Sequence, residues 1–381
     1  MGRKNAIYLC LAVTALVTLG LVMLTSTSVW DDEVDGYILV KKQSIWISLG
    51  LISAIAVSAY DYRKLRLWWV VFFVISCLLL VLCYIPGIAH EVKGESRWIR
   101  LPGLPQFQPS ELAKIFVIMA IAAWYTHFQT ENRTFYKGMV LPGLLLGIPV
   151  LLIFFEKDMG TAMALGAAGA VIMFCAGTRF VYLGAAGAIA IAGATIVIKA
   201  NQERMGRIHA LFDLESDKYR LGDGYQQLHG LYAFANGGVN GTGLGNGVEK
   251  HGYLPEAHTD FIFPAIGEEL GLWFTLGSVF CFVVIVVLGI SIAMNAKEVF
   301  GRLMAVGLTS IIVIPAMMNI GVTTAVLPNT GLPLPFISYG GTNLIFTLIS
   351  VGLLISIHRH TIFTDRKEMP LINEKKQCLR I

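Results

Sequence analysis

Residues 266–294 read IGEELGLWFTLGSVFCFVVIVVLGISIAM, and this stretch decides the fold class. After Glu269 it carries no charged side chain up to Met294. A helix needs about 20 mostly apolar residues to cross the hydrocarbon core of a bilayer. A surface helix of a soluble protein would instead alternate an apolar stripe with a polar face. The stretch therefore predicts a transmembrane helix.

Nine further stretches have similar character, and together they predict an all-α polytopic membrane protein with about ten transmembrane helices. The composition agrees, because 14% of the residues are charged against about 25% in a typical soluble domain. Spans 110–127, with Glu111 and Lys114, and 160–177, which is short and rich in Gly and Ala, fit least well. The ten predicted spans are 5–25, 44–60, 68–86, 110–127, 139–155, 160–177, 182–198, 266–294, 303–324 and 341–357.

Lysines and arginines in the short connections predict the orientation, because cytoplasmic loops are enriched in them. With ten spans, the basic clusters before the first span and after every second span fall on one side. That side is predicted to be the cytoplasm, so both termini are cytoplasmic. Residues 1–358 then form the membrane domain, and 359–381 form a cytoplasmic tail. The first span lacks an A-x-A-like cleavage site, which indicates a retained anchor.

The charges and cysteines exclude other classes of protein. The formal net charge is only +4, and no cluster of Lys and Arg predicts a nucleic-acid-binding face. The six cysteines show no C-x-x-C spacing, so they do not predict a metal site. Five of them lie in apolar stretches and are expected to be small buried hydrophobes.

The longest polar stretch, 199–263, lies between spans seven and eight and is predicted to be extracytoplasmic. A loop of this length in a compact protein is usually either functional or disordered. Its aromatic residues and glycines, without low-complexity runs, favour an ordered functional loop. The glycine run at 236–247 follows no predicted strand, so it does not indicate a dinucleotide site.

Asp260 is the candidate catalytic residue, because it stands at the end of this loop, directly before apolar residues. A carboxylate in such a place loses hydration, which raises its pKa and makes it a better base near neutral pH. The alternative is that Asp260 caps the following helix, a position that Asp favours. Glu268 and Glu269 begin the next predicted span and are interpreted as partners of its helix dipole.

Ionisable residues at membrane depth mark further candidate sites, because they are costly there. Glu111 and Lys114 are three residues apart and can pair on one helix face. Asp158 follows the fifth span at a similar predicted depth. Two interpretations stay open: a structural salt bridge, or the wall of a polar cavity that binds an anionic head group.

Cations on the same predicted outer face suit contact with phosphate oxygens, although exposed arginines are often merely solvated. Combined with an acidic base candidate, they suggest chemistry on a phosphorylated lipid at the outer leaflet. These cations are Arg97, Arg100, Arg204, Arg207 and Lys250.

Five motifs occur in order along nearly the whole chain. The motifs are FQPSELAK (107–114), KDMGTA (157–162), YLPEAHTDFIF (253–263), IGEELG (266–271) and LPFISYGG (334–341). On these motifs the chain resembles the bacterial shape, elongation, division and sporulation family that includes FtsW, RodA and SpoVE. The sequence PEAHTDFIF followed by IGEELG looks more like the division member FtsW than the elongation member RodA.

The resemblance implies a peptidoglycan glycosyltransferase that polymerises lipid II into β-1,4 glycan strands and releases undecaprenyl pyrophosphate during septal wall synthesis. Asp260 matches the catalytic aspartate and would be the general base for the acceptor hydroxyl. A divalent cation such as Mg or Mn is expected to help the pyrophosphate leave. The predicted substrate-binding residues are Arg204, Arg207, Lys250, Glu111, Lys114, Asp158, His258 and Ser338.

The implied partners are a class B penicillin-binding transpeptidase, other division proteins and membrane lipids, at the bacterial cytoplasmic membrane. Two alternatives remain, a lipid II flippase and a non-enzymatic division scaffold. A flippase needs a polar path to both leaflets, whereas the motifs crowd the predicted outer face. That crowding favours the enzyme.

Overall fold

The computed structural model describes residues 2–28, 36–92, 95–99 and 106–378; the predicted cation Arg100 lies outside them. Helices make up most of the described chain, which confirms the predicted fold class. The helices are α1 (Gly2–Ser28), α2 (Gly36–Ala59), α3 (Tyr62–Leu65), α4 (Trp69–Leu82), α5 (Pro109–His127), α6 (Leu141–Phe155), α7 (Met159–Cys175), α8 (Phe180–Ala200), α9 (Gln202–Phe212), α10 (Asp217–Arg220), α11 (Tyr225–Gly237), α12 (Ile262–Leu270), α13 (Leu272–Asn295), α14 (Val299–Thr323) and α15 (Gly341–Cys378).

Eight helical segments of the described chain are long and apolar enough to cross a membrane, and each overlaps a predicted span. Membrane-spanning segments take this form because a helix satisfies all its backbone hydrogen bonds internally. The segments are Lys4–Ser28, Tyr37–Ala59, Tyr62–Leu82, Tyr136–Phe155, Phe180–Ala200, Leu272–Asn295, Val299–Thr323 and Gly341–Ile362.

The other two predicted spans, 110–127 and 160–177, are also helical, as α5 and α7. Helix α7 has only 17 residues, and α5 carries an ion pair at its start. Both pack inside the bundle, against α14 and each other. Protein neighbours rather than lipid therefore surround much of their surface, which explains why their sequences are less apolar or shorter.

The predicted span 266–294 is wrong at its start, because the helix is interrupted at Gly271, between α12 and α13. Gly271 has φ 78°, a left-handed conformation that glycine adopts without steric cost. Glu268 and Glu269 accordingly lie in the last turn of α12, not at the start of a helix. Their predicted role as N-terminal dipole partners is therefore also wrong.

The long segment 199–263 is folded, as the sequence predicted, and contains α9, α10 and α11. The all-α prediction missed one small antiparallel hairpin, formed by β1 (Ala89–Val92) and β2 (Glu95–Ile99). An isolated bridge between Ile99 and Phe107 ties this hairpin to the residues before α5. The predicted tail from residue 359 continues α15 as helix.

Helices α5, α14 and α15 form the centre of the bundle. Helix α15 packs along α2, and α14 packs against α5, α7 and α13. Helix α8 is the opposite case, since none of its residues is buried. It touches α7 at one end and α9 at the other, so most of its apolar surface has no protein neighbour among the described residues.

Candidate active site

Asp260 lies in the turn before α12, partly buried, and its backbone is held by α14. Asn319 Nδ2 donates to the carbonyl oxygens of Asp260, at 2.7 Å, and of Leu332, at 2.6 Å. One buried amide thus fastens two loops side by side. The N-cap residue of α12 is Phe261, one position after Asp260, so Asp260 does not occupy the N-cap position itself.

Gly331 lies directly against the Asp260 carboxylate. A Cβ atom added at Gly331 would stand 3.4 Å from Asp260 Oδ2, and Gly331 has φ 65°. On the other side of the same segment, an added Cβ at Gly160 would meet the Thr330 carbonyl oxygen at 3.1 Å. The segment 330–332 therefore runs between Asp260 and the first turn of α7.

Ser338 and His258 connect the two loops that meet at Asp260. Ser338 Oγ donates to the Thr259 carbonyl oxygen at 2.6 Å and accepts from the Leu334 backbone at 2.8 Å. The Tyr339 backbone N–H donates to the His258 carbonyl oxygen at 3.0 Å. The Ser338 hydroxyl is buried and engaged by protein, so its placement favours a structural role over the predicted substrate contact.

The arginines of α9 lie near this junction but in different surroundings. Arg207 Nη1 donates to the Asn329 carbonyl oxygen at 3.4 Å, and Asn329 Oδ1 accepts from the Gly331 backbone at 3.2 Å. Arg207 is exposed and stands close to the segment beside Asp260. Arg204 instead stacks over the Phe154 ring at 5.7 Å. Of the two, Arg207 is better placed to meet a ligand's charge.

Glu111 and Lys114 form the predicted pair, with Lys114 Nζ 2.8 Å from Glu111 Oε2 and both side chains buried. Asp158 lies nearby and caps α7 by accepting from the Thr161 backbone at 2.9 Å. It also accepts from Gln108 Nε2 at 3.2 Å. The pairing matches the salt-bridge interpretation, and a role in lining a substrate cavity stays a prediction.

Lys250 was predicted to contact pyrophosphate, but the structure places it in a buried ion pair. Its Nζ is 2.8 Å from Glu269 Oε1 and also donates to Ser26 Oγ and the Gly245 carbonyl oxygen. Lys250 and Glu269 side chains are each 1% exposed. A buried ammonium with these partners cannot reach a ligand, so the structure corrects this prediction and gives Lys250 a role in holding the loop.

Glu268 also helps to hold the loop that carries the glycine run at 236–247. Its carboxylate accepts from the backbone N–H groups of Val248 and Glu249 at 2.9 and 3.2 Å. Glu269 accepts from the Gly245 backbone at 2.9 Å. The two carboxylates at the end of α12 therefore bind the glycine-rich loop, which carries the glycine run at 236–247 and continues to Lys250. They position this loop against α1.

Glu156 was missed by the sequence analysis. It is 3% exposed, and neither carboxylate oxygen has a hydrogen-bond partner among the described residues. The nearby Cys83 thiol, a weak donor, donates to the Leu79 carbonyl oxygen at 3.9 Å. Burial, and secondly the charge of Asp158, raise the pKa of Glu156 from 4.5 to about 8. Its position just past an apolar helix was the only sequence signal.

The described residues do not fit a metal held by protein ligands alone, because no three His, Cys, Asp or Glu side chains among them converge on one point. Magnesium that arrives with a phosphate group needs only one or two protein carboxylates. The predicted divalent cation therefore stays a prediction.

The sequence is similar to those of known proteins along most of its length. A family model described as "Cell cycle protein", for FtsW, RodA and SpoVE, matches residues 7–362. The probable peptidoglycan glycosyltransferase FtsW of Trichlorobacter lovleyi is 39% identical over 352 residues, which cover 92% of each chain. Stage V sporulation protein E of Bacillus subtilis is 35% identical over 349 residues, covering 91% of this chain and 94% of that one.

The fold is also similar to that of solved structures. A peptidoglycan synthase complex that coordinates polymerization and crosslinking contains a chain with TM-score 0.76 and 27% identity; the match covers 93% of this chain and 97% of that one. The rod shape determining protein RodA of Thermus thermophilus has TM-score 0.67 and 27% identity, covering 92% and 95%.

Proposed function

The chain belongs to the FtsW, RodA and SpoVE family of cell cycle proteins, and from that premise we propose that it is a peptidoglycan glycosyltransferase. Its substrate is lipid II, its product is a β-1,4 glycan strand, and undecaprenyl pyrophosphate is released. The relatives named FtsW support a role in septal wall synthesis during division.

Asp260 acts as the general base in this reaction. It takes the proton from the 4-hydroxyl of the acceptor sugar, the oxygen attacks the anomeric carbon of the donor, and the bond to pyrophosphate breaks with inversion. A positioned base contributes roughly 10²–10⁴-fold to the rate. One observation carries the assignment: the backbone of Asp260 is held where three segments meet, with its carboxylate against Gly331.

Arg207 stabilises the leaving pyrophosphate. It is exposed and contacts Asn329, two residues from Gly331, so it can approach a phosphate while Asp260 faces the sugar. A guanidinium binds phosphate oxygens in a bidentate manner, and fixed charge aimed at a leaving group lowers the barrier. A divalent cation would share this role, and polymerisation in the presence of a chelator tests for it.

The protein works as a multi-pass protein of the cytoplasmic membrane, with both termini in the cytoplasm and with enrichment at the septum. Its partners are a class B penicillin-binding transpeptidase and other division proteins. Support for a synthase assembly comes from the similarity to a chain of a peptidoglycan synthase complex.

The function is tested by glycan synthesis from purified lipid II, with wild type, Asp260→Asn and the control Asp217→Asn, each co-purified with the transpeptidase. Asp217 is exposed on α10 and makes no proposed contact with substrate. Wild type and Asp217→Asn are expected to polymerise, whereas Asp260→Asn folds normally but loses roughly 10²–10⁴-fold in rate.

Equal activity of all three proteins would place the base elsewhere. No polymerisation by any of them, together with transfer of labelled lipid II across vesicles by the wild type, would replace the enzyme with the flippase.

A further inference from the structure

Four aromatic side chains of the long segment 199–263 form a cluster that we call the aromatic patch: Tyr225, His229, Tyr232 and Tyr253. The His229 ring centroid lies 4.3 Å from that of Tyr225, 5.6 Å from Tyr232 and 6.1 Å from Tyr253. Tyr253 is 52% exposed and Tyr232 is 38% exposed. An exposed aromatic cluster outside the apolar spans indicates a binding surface.

A polar pair stands at the centre of the patch. His229 Nδ1 lies 2.6 Å from Glu249 Oε2, and both side chains are mostly buried. The Glu249 backbone N–H donates to the Glu268 carboxylate, which fixes Glu249 to the framework at the end of α12. The patch therefore combines rigid ring faces with hydrogen-bonding groups held in place.

The patch is joined to the candidate active site by buried and partly buried hydrogen bonds. Gln227 Nε2 donates to the carbonyl oxygens of Val322 and Leu327, each at 2.8 Å. Its neighbour Gln226 accepts from Asn329 Nδ2 at 2.6 Å. At its other edge, Tyr253 begins the motif that ends with Asp260 and the residues after it. A ligand on the patch therefore has a fixed relation to Asp260.

We propose that the aromatic patch is a carbohydrate-binding platform that holds the glycan strand beyond the reacting sugars, an inference that rests on the proposed function. A pyranose ring presents an apolar C–H face and a rim of hydroxyl groups. Tyrosine supplies a rigid, amphipathic surface that matches both, and the His229–Glu249 pair can bond to hydroxyls. Four side chains are too few for a stable protein interface, which needs about 800 Å² per partner.

The probe is the soluble β-1,4-linked tetrasaccharide of N-acetylglucosamine, with binding measured by ligand-observed NMR on the full-length protein in nanodiscs. Tyr253→Ala is expected to bind about 3- to 10-fold more weakly, the value of one aromatic contact. Tyr253→Trp retains binding because it keeps a ring face. The control Tyr219→Ala, in α10 outside the patch, binds as the wild type does.

A second measurement uses strand length in the polymerisation assay. Tyr253→Ala and His229→Gln are expected to start strands from lipid II but to release shorter products, because the growing strand is held less tightly. Normal melting temperatures of both variants show that they fold. Asp260→Asn is expected to bind the tetrasaccharide normally while it polymerises roughly 10²–10⁴-fold more slowly. Failure of the proposed chemistry and failure of the platform therefore give different results.

Three results would overturn the platform. The first is a wild type that does not bind the tetrasaccharide, and the second is a folded Tyr253→Ala variant that binds it and elongates strands as the wild type does. The third is a Tyr253→Ala variant with unchanged tetrasaccharide binding but weaker co-purification with the transpeptidase, which would make the patch a protein contact.

Discussion

Glu156 shows how burial controls the ionisation of a single carboxyl group. Its two oxygens have no hydrogen-bond partner among the described residues, and its pKa rises to about 8. The folded protein therefore keeps a proton on Glu156 that the unfolded chain releases above pH 4.5. Because the native state holds the extra proton, Glu156 makes the protein less stable as the pH rises from 4.5 to 8.

Glu156→Gln removes this titration while it keeps the shape of the side chain. The variant is expected to melt at a higher temperature than wild type at about pH 8, and the difference is expected to shrink at about pH 5. Thermal unfolding of the purified protein at both pH values measures this. Glu215→Gln, at an exposed position, is the control. A constant difference between Glu156→Gln and wild type at both pH values would contradict the raised pKa.

Sequence reasoning at the level of single residues succeeded where the signal was local. The pairing of Glu111 with Lys114 follows from their spacing, and it is confirmed. It did not find partners that are distant in sequence: Lys250 pairs with Glu269 and Ser26, and Ser338 bonds to Thr259. Spacing along the chain cannot show that such groups are already engaged, so both were predicted as ligand contacts.

A buried ion pair contributes to the link between α12 and the loop that carries the glycine run at 236–247. Lys250→Met leaves the Glu269 carboxylate buried without its cation, which is expected to cost about 3–5 kcal/mol of stability. Lys137→Met is the matched control, since the Lys137–Glu131 pair has the same 2.8 Å distance but is more than one third exposed. Its expected cost is under about 1 kcal/mol.

Denaturant unfolding of the two variants in the same detergent compares the two costs. Equal losses of stability would show that the buried Lys250–Glu269 pair contributes no more to stability than the exposed Lys137–Glu131 pair. That result would contradict the role of Lys250 in holding the loop.

Helix prediction from hydrophobic runs worked because a membrane demands long apolar segments. The break at Gly271 was missed because glycine is common within apolar spans, and only the left-handed φ distinguishes this one. The β1–β2 hairpin was missed because its strands are short and carry no alternating pattern. For the long segment, the sequence predicted an ordered loop but not the helices α9, α10 and α11 that it contains.

Ten crossings would place both termini on one side of the membrane, and the basic connections predict that this side is the cytoplasm. On this prediction, Tyr219 in the long segment and Cys378 near the end of α15 lie on opposite sides of the membrane. In a variant lacking the other cysteines, Tyr219→Cys is expected to react with a membrane-impermeant maleimide on intact spheroplasts, and Cys378 only after permeabilisation. Arg133→Cys, in a predicted cytoplasmic connection, serves as the control and behaves like Cys378. The reverse pattern would invert the orientation.

The contacts between α2 and the loop just before α15 set an order of events during biosynthesis. Gln43 on α2 bonds to the backbone of Ser338 and Gly340, just before α15, and nearly 300 residues are translated between them. At roughly 5–20 residues per second, the ribosome needs roughly 15–60 s to supply this partner. Until the last helix inserts, the loop that carries Gly331 has no anchor to α2. An incomplete chain in the membrane therefore lacks an assembled site and cannot act on substrate before synthesis ends.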